Sequence, residues 1–235
     1  MKKISIIIPI YNEEGNILRL LKDLINELSL IQGFDFEVIL VDDSSTDRSK
    51  NLIKSYIENN NKLKVRLIEN DFNIGKTFSI QKAINTVRAD FLIFMDGDYQ
   101  DDPKDIKKFI NKVKEGYNLV IGYQDKDYSL FVKFCGVIYK SILRIFLNIK
   151  KVKNPSPQFM LIKYDNVKKI NFKQNYHRYM AIGAMYKKIK FCEIKVNFFK
   201  REYGVSKFSR FKVFGAFFEV FGLIYRLKKD IFFSK

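Results

Sequence analysis

The stretch DFLIFMDGDYQDDP, residues 90–103, decides how the rest of the chain is read. An apolar run, Phe91 to Met95, passes directly into Asp96, Asp98, Asp101 and Asp102. A short apolar run bounded by turn residues reads as a strand buried on both faces. Pro103 suits the first turn of a helix. The stretch is therefore strand, acidic turn, helix, and the same unit recurs on both sides of it. ISIII (4–8) precedes Ile17, Leu20, Leu21, Leu24, Ile25 and Leu28, which share one helix face. FEVILV (36–41) runs through the polar turn DDSSTD into a helix over about 47–59, and KVRLI (64–68) through NDFNIGK into the helix TFSIQKAINTV. NLVIG (118–122) is a fifth strand. Strands alternating with helices predict an α/β fold with a mostly parallel sheet. Such sheets bind ligands beyond the carboxyl ends of their strands, where each polar cluster of this chain lies.

The second half changes character. Residues 129–147, SLFVKFCGVIYKSILRIFL, predict a long apolar helix with Lys133, Lys140 and Arg144 in one basic stripe. A Pro-rich turn, KNPSPQ (153–158), leads to a strand FMLI. A further strand is expected over 189–197, then a loop REYGVSK (201–207) and a Phe-rich closing segment.

At 235 residues and 47% hydrophobic content the chain supports one large domain, with or without a small appendage. Lys and Arg total 43 against 26 acidic residues, a formal charge of +17. That excess favours nucleic acid, anionic lipid headgroups or phosphorylated substrates, although AT-rich coding bias produces similar compositions. The widely separated Cys135 and Cys192 match no zinc or redox spacing and fit a reducing compartment. Neither a signal peptide nor a membrane span of about 18 apolar residues is expected.

Asp96-Gly97-Asp98 puts two carboxylates, with Gln100 as a neutral oxygen donor, where they reach a hard divalent cation such as Mg²⁺ or Mn²⁺ from one side. The alternative is a helix-capping turn, which accounts for Asp101 and Asp102 better than for Asp96. Asp43, ending the second strand, can accept hydrogen bonds from a base or ribose; Ser45 or Asp47 caps the helix that follows. Pro9 and Tyr11 can wall a slot for a flat base with Glu13 bonding it, or Asn12 caps the helix and Glu13 and Glu14 complement its dipole. His177 reads as a surface or interface residue.

Four segments, SIIIPIYNEEGNI, EVILVDDSSTDRS, NIGKTFSIQKAIN and FLIFMDGDYQDDP, together resemble the inverting nucleotide-sugar glycosyltransferases of the GT-A fold. REYGVSKF resembles the R-x-x-G-x-S-K element of the dolichol-phosphate mannose synthase-like branch, which moves a sugar from a nucleotide diphosphate onto a polyprenyl phosphate at a membrane. The resemblance implies a GT-A domain over 1–207, with a nucleotide-sugar half (1–125) and an acceptor half (126–207), and an amphipathic tail over 208–235. It implies that Pro9, Tyr11, Glu13 and Asp43 hold the nucleoside of a UDP- or GDP-sugar. Asp96, Asp98 and Gln100 would ligate the metal, with Gly97 between them. Arg201 and Lys207 would clamp the diphosphate, Gly204 permitting the bend. Asp98, Arg201 and Lys207 are then the catalytic candidates. A phosphate acceptor, with its second pKa near about 6, needs little general-base help; Lys126 and Lys133 are the candidates to hold it.

Related proteins carry D-x-G-x-D-F-R-L before the strand FMLI; here Gln158 and Met160 stand in place of Asp and Arg, with Asn154 the nearest polar alternative. The helix at 129–147 and the tail suit a membrane interface, although Phe211, Phe214, Phe217, Phe218 and Phe221, at helical spacing, equally suit filling the core or a homodimer interface. A cytoplasmic protein bound peripherally to a membrane is the expectation. Transfer to a hydroxyl acceptor and a silent nucleotide- or membrane-binding module are the rivals. A nucleic-acid binder is disfavoured, because the acidic crevice would repel a phosphate backbone.

Overall fold

The computed structural model describes residues 1–60, 62–125, 129–150, 152–200 and 211–233, the side chains of 211–218 excepted. Seven strands form one sheet in the order β3-β2-β1-β4-β6-β5-β7. β1 (Lys2–Ile10) is central, flanked by β2 (Phe34–Asp42) and β4 (Phe91–Phe94). β3 (Lys64–Glu69) extends the parallel pairing outward from β2. β6 (Met160–Lys163) runs antiparallel to both β4 and β5 (Leu119–Tyr123), and β7 (Phe191–Lys195) lies parallel to β5. The chain builds from β1 to β3 on one side, then returns to place β4 on the other. The crevice beyond β1 and β4 is thus a topological switch point.

Alternate residues of each strand feed two cores. Ile4, Ile6, Ile8, Val38 and Leu40 pack under α1 (Ile17–Ser29), α2 (Ser49–Asn59) and α4 (Ile106–Lys114). Ile7, Ile39, Val41, Leu92 and Phe94 pack under α3 (Lys76–Thr86), α6 (Met180–Tyr186) and parts of α5 (Leu130–Leu147) and α7 (Phe211–Lys228). All six apolar positions expected on the first helix are buried.

Two details differ from the sequence expectation. Pro103 opens a short 3₁₀ turn, Pro103–Asp105, and the α-helix begins at Ile106. The C-terminal stretch is also more than an appended tail. Val220, Leu223, Leu227 and Phe232 are buried in the second core, because the Phe232 ring fills the space beside Gly183 on α6. A Cβ on Gly183 would lie 2.5 Å from that ring. Gly183→Ala should therefore destabilise the protein by about 1–3 kcal/mol through overpacking. Urea denaturation measures this; an unchanged midpoint would show that the C-terminus does not belong to the cooperative fold.

Candidate active site

The site begins with loops that fasten one another. After β1, Asn12 takes a left-handed φ of 59°, and its side chain accepts from Thr46 N at 2.8 Å while its own N–H donates to Ser45 Oγ at 3.0 Å. Glu13 N donates to Ser49 Oγ at 2.7 Å and Glu14 N to Asp47 Oδ2 at 3.0 Å. Neither Asn12 nor Ser45 caps a helix, as the sequence had suggested. They join the loops after β1 and β2, and Asp47 Oδ1, accepting from Ser49 N at 2.9 Å, supplies the local cap. Glu13 Oε2 accepts from Asn16 Nδ2 at 2.7 Å, and Pro9 and Tyr11 stand half-buried beside it.

Asp43, buried, accepts from Asn70 Nδ2 and Ile74 N on Oδ1 and from Gly75 N on Oδ2, each at 2.9 Å. Three of a carboxylate's roughly four acceptor positions are thereby engaged within the chain. Their effect is to hold the loop 70–75, where Gly75 at φ 85° turns the chain into α3. The first residue of that helix is Lys76. Its ammonium forms a short ion pair with Asp96 and reaches Gln158 Oε1 at 3.2 Å. Lys76 escaped the sequence reading, although its position at the end of NIGK, facing the same crevice as the other loops, was the signal for it.

The loop after β4 carries the acids. Gly97 allows close packing: a Cβ there would lie 2.6 Å from Ile10 Cδ1 and 3.3 Å from Pro9 O. Asp98, buried, accepts from Gln100 N at 3.2 Å. Between them Tyr99 adopts φ 56°, a left-handed conformation that bulky residues rarely take. Three contacts impose it. The hydroxyl donates to Asp23 in a short hydrogen bond, the Arg19 guanidinium lies 4.2 Å from the ring centroid, and Phe199 stacks on the ring at 5.7 Å.

Asp101 and Asp102, both expected as helix caps, separate. Asp102 is the cap, accepting from Lys104 N at 3.0 Å. Asp101 instead faces the crevice, with Gln124 Nε2 3.5 Å from its Oδ1. Burial first, then the charges of Asp96 and Asp98, push its pKa up to about 8. His177 is also corrected: Nδ1 lies 2.6 Å from Thr77 Oγ1 and the ring lines a small pocket with Lys76, Asp96 and Gln158. Burial, then Lys76 and Arg178, lower its pKa to about 2, so the ring stays neutral.

These groups border a cavity of about 550 Å³. Its lining includes Asp96, Asp98, Gln100 and Asp101 together with Asp125, Lys140, Lys153, Asn154 and Gln158. Lys133 is exposed on α5 and is not among the residues lining this cavity, whereas Lys140 is. Asn154 lines the cavity, and its side-chain amide donates to Gly122 O at 2.8 Å, which pins the turn to β5. Met160 is buried in β6. Lys126, Arg201, Gly204 and Lys207 lie outside the described residues. The segment before Arg201 is fixed to the acidic loop, Phe199 N donating to Gln100 O at 2.8 Å.

Residues 5–191 match the family model described as glycosyl transferase family 2. The chain belongs to that family. Curated relatives include dodecaprenyl-phosphate galacturonate synthase of Rhizobium johnstonii, 24% identical over 96% of this chain and 68% of its own. Undecaprenyl-phosphate 4-deoxy-4-formamido-L-arabinose transferase of Edwardsiella ictaluri is 24% identical over 92% of this chain and 66% of its own. The chain thus spans about two thirds of their lengths. Among solved structures, glucosyl-3-phosphoglycerate synthase from Mycobacterium tuberculosis, with Mn²⁺, uridine diphosphate and phosphoglyceric acid, superposes with a TM-score of 0.68 at 16% identity, covering 96% of this chain and 78% of that one. The expected GT-A fold holds for this family 2 chain.

Two measurements test the site's construction. The native state keeps a proton on Asp101 that the unfolded chain, with an ordinary carboxyl pKa near about 4, has lost at neutral pH. Its contribution to stability in chelator is full below about pH 4 and declines as pH rises towards its folded pKa of about 8. Asp101→Asn should flatten that decline relative to wild type in denaturation runs across pH 5 to 8; parallel curves would refute the shift. At position 99, glycine should be better tolerated than alanine by roughly 1 kcal/mol, because only glycine takes the left-handed conformation freely. Thermal denaturation of Tyr99→Gly and Tyr99→Ala compares them, and an alanine variant of equal or greater stability would refute the strain at this turn.

Proposed function

We propose that this family 2 protein transfers a sugar, with inversion, from a UDP- or GDP-sugar to a polyprenyl phosphate at a membrane surface. The observation that carries the reading is the pairing of Asp96, Asp98 and Gln100 on the floor of a cavity at the switch point beyond β1 and β4. Among the described residues no group of three or more His, Cys, Asp or Glu is arranged to hold a metal unaided. That is compatible with Mg²⁺ or Mn²⁺ arriving with a diphosphate, since Mg²⁺ commonly takes one or two carboxylates plus substrate oxygens. Asp96 and Asp98 lie close enough to Asp101 for their charges, after burial, to raise its pKa. The residues fit such an ion, with Asp98, Gln100 and Asp96 as its protein ligands. When bound, it would supply positive charge against the departing diphosphate.

The chain's own groups divide the remaining tasks. Pro9, Tyr11 and Glu13 line the approach for the base, and Asp43 with Gly75 sets the loop that delivers Lys76. Lys76 offers a cation beside the diphosphate position, and Arg201 and Lys207 are proposed to add two more from the segment after Phe199. The acceptor phosphate oxygen attacks the anomeric carbon as the carbon–oxygen bond to the nucleoside diphosphate breaks on the opposite face. A dianionic phosphate needs only alignment, which suits a site where His177 is a poor base. Membrane action is supported by α5: Leu130, Phe131, Phe134, Val137 and Ile145 are exposed, and the +17 charge favours an anionic, cytoplasmic surface. Among the described residues no helix is long and apolar enough to cross a membrane.

A second reading rests on Asp101: a carboxyl with a pKa of about 8 on the cavity wall could serve as base for a hydroxyl acceptor. The two separate in one assay. With Mn²⁺, labelled nucleotide sugars and either a polyprenyl phosphate or the corresponding polyprenol, label should enter the organic phase only with the phosphate. Transfer to the alcohol instead would establish the second reading. Asp98→Ala should lower metal-dependent nucleotide affinity by at least about tenfold, and unchanged affinity would remove Asp98 from the metal site.

A further inference from the structure

What fixes Lys76 lies only partly in the crevice. It is the first residue of α3, and Gly75 before it has no side chain to cap that end of the helix. On one side the approach is tied to Asp43 through Ile74 N and Gly75 N. On the other the tie is Thr77, the buried second residue of α3. Its Oγ1 accepts from Asn175 N at 3.0 Å and lies 2.6 Å from His177 Nδ1. A hydroxyl carries one donor and two acceptor sites, so both neighbours are served at once and the oxygen is held between them. His177 also borders the small pocket shared by Lys76, Asp96 and Gln158.

Asn175 passes the constraint on. It adopts a left-handed φ of 69°, a conformation in which asparagine is enriched over most other residues. Its backbone N–H goes to Thr77, while its side-chain Nδ2 donates to Glu219 Oε1 at 2.8 Å. The second oxygen, Glu219 Oε2, accepts from the Tyr179 hydroxyl at 2.6 Å. Both carboxylate oxygens are therefore engaged, and bonds to an ionised acceptor are stronger than neutral ones. Glu219 belongs to α7. A hydrogen-bonded path thus runs from α7 through Asn175 to Thr77, next in the chain to the lysine that meets Asp96 and Gln158.

We infer that Glu219, Asn175 and Thr77 are positioning residues for Lys76: they hold the first turn of α3 so that its ammonium stands at the diphosphate position. This rests on the role proposed for Lys76 and extends it to α7, none of whose described residues is among those lining the cavity. The three residues act through the place of one cation, so their effect disappears once that cation is removed.

A double-mutant cycle on the full chain tests this, read by calorimetric titration with Mn²⁺ and whichever of UDP and GDP wild type binds more tightly. Lys76→Ala should weaken the nucleoside diphosphate about tenfold, the loss of a charge-assisted contact being worth that much. Asn175→Gly keeps the left-handed backbone and its N–H but removes Nδ2, and Thr77→Val removes the hydroxyl at nearly the same volume. Each should weaken binding about fivefold in wild type and less than about twofold on top of Lys76→Ala. Thr77→Ser, which restores the hydroxyl, should bind as wild type does. Equal losses in the two backgrounds would mean that the network merely supports the fold, and would overturn the positioning while leaving the proposed reaction standing. So would Asn175→Gly and Thr77→Val proteins that bind as wild type does. Wild type that binds neither UDP nor GDP would overturn both.

Discussion

The carboxylate of Asp43 is the constraint on which the site depends. It collects one side-chain and two backbone donors from residues 70–75, so a loop that would otherwise wander is drawn against the end of β2. That loop starts α3, and the first residue of α3 is the lysine that neutralises Asp96. Position therefore passes from one buried acid, through backbone N–H groups, to a cation some thirty residues later. Charge-assisted bonds to backbone donors are strong, and their loss leaves a buried carboxylate without partners. The acidic crevice is consequently organised before any ligand arrives. Pre-placed charge of this kind acts on a developing charge without reorganisation.

Electrostatic balance explains why four acids persist in so basic a chain. Asp102 is used by the 3₁₀ turn and by Asn197, whose amide reaches Oδ2 at 3.0 Å. Asp96 has Lys76. Asp98 and Asp101 are both buried beside the cavity, and burial with the charges of Asp96 and Asp98 raises the pKa of Asp101. Among the described residues the acids of this loop meet one direct ion pair, Lys76 with Asp96, while the chain as a whole carries a formal charge of +17. A metal–diphosphate pair, as in the proposed function, would bring cation to these acids and anion to the basic groups around them.

The layered α/β architecture was legible because strand and helix periodicities are local, as the six buried positions of α1 show. The location of the site was legible too, since polar turns after buried strands converge once the sheet is parallel. Partnerships were not. Lys76 and Asp96 lie twenty residues apart, and nothing in either segment announces the other. Asp101 and Asp102 are chemically identical neighbours, separated only by the direction in which the turn points each side chain. Tyr99 carries a conformation that sequence patterns assign to Gly or Asn, and the contacts imposing it come from α1 and from Phe199, a hundred residues downstream. Lys133 and Lys140 share a helix edge, so periodicity could place both but could not say which one reaches a cavity.

α5 finally shows how packing and function meet. Most helical stability in proteins comes from tertiary packing of an amphipathic face, yet α5 commits only two residues fully to the core. Ser129 caps its start, accepting from Val132 N at 3.5 Å. Burying Leu130, Phe134, Val137 and Ile145 against hydrocarbon would repair that deficit at about 25 cal/mol per Å² of apolar surface. The gain falls on the helix that also holds Lys140 at the cavity wall. Whatever covers that apolar strip would also steady the helix whose Lys140 lines the cavity.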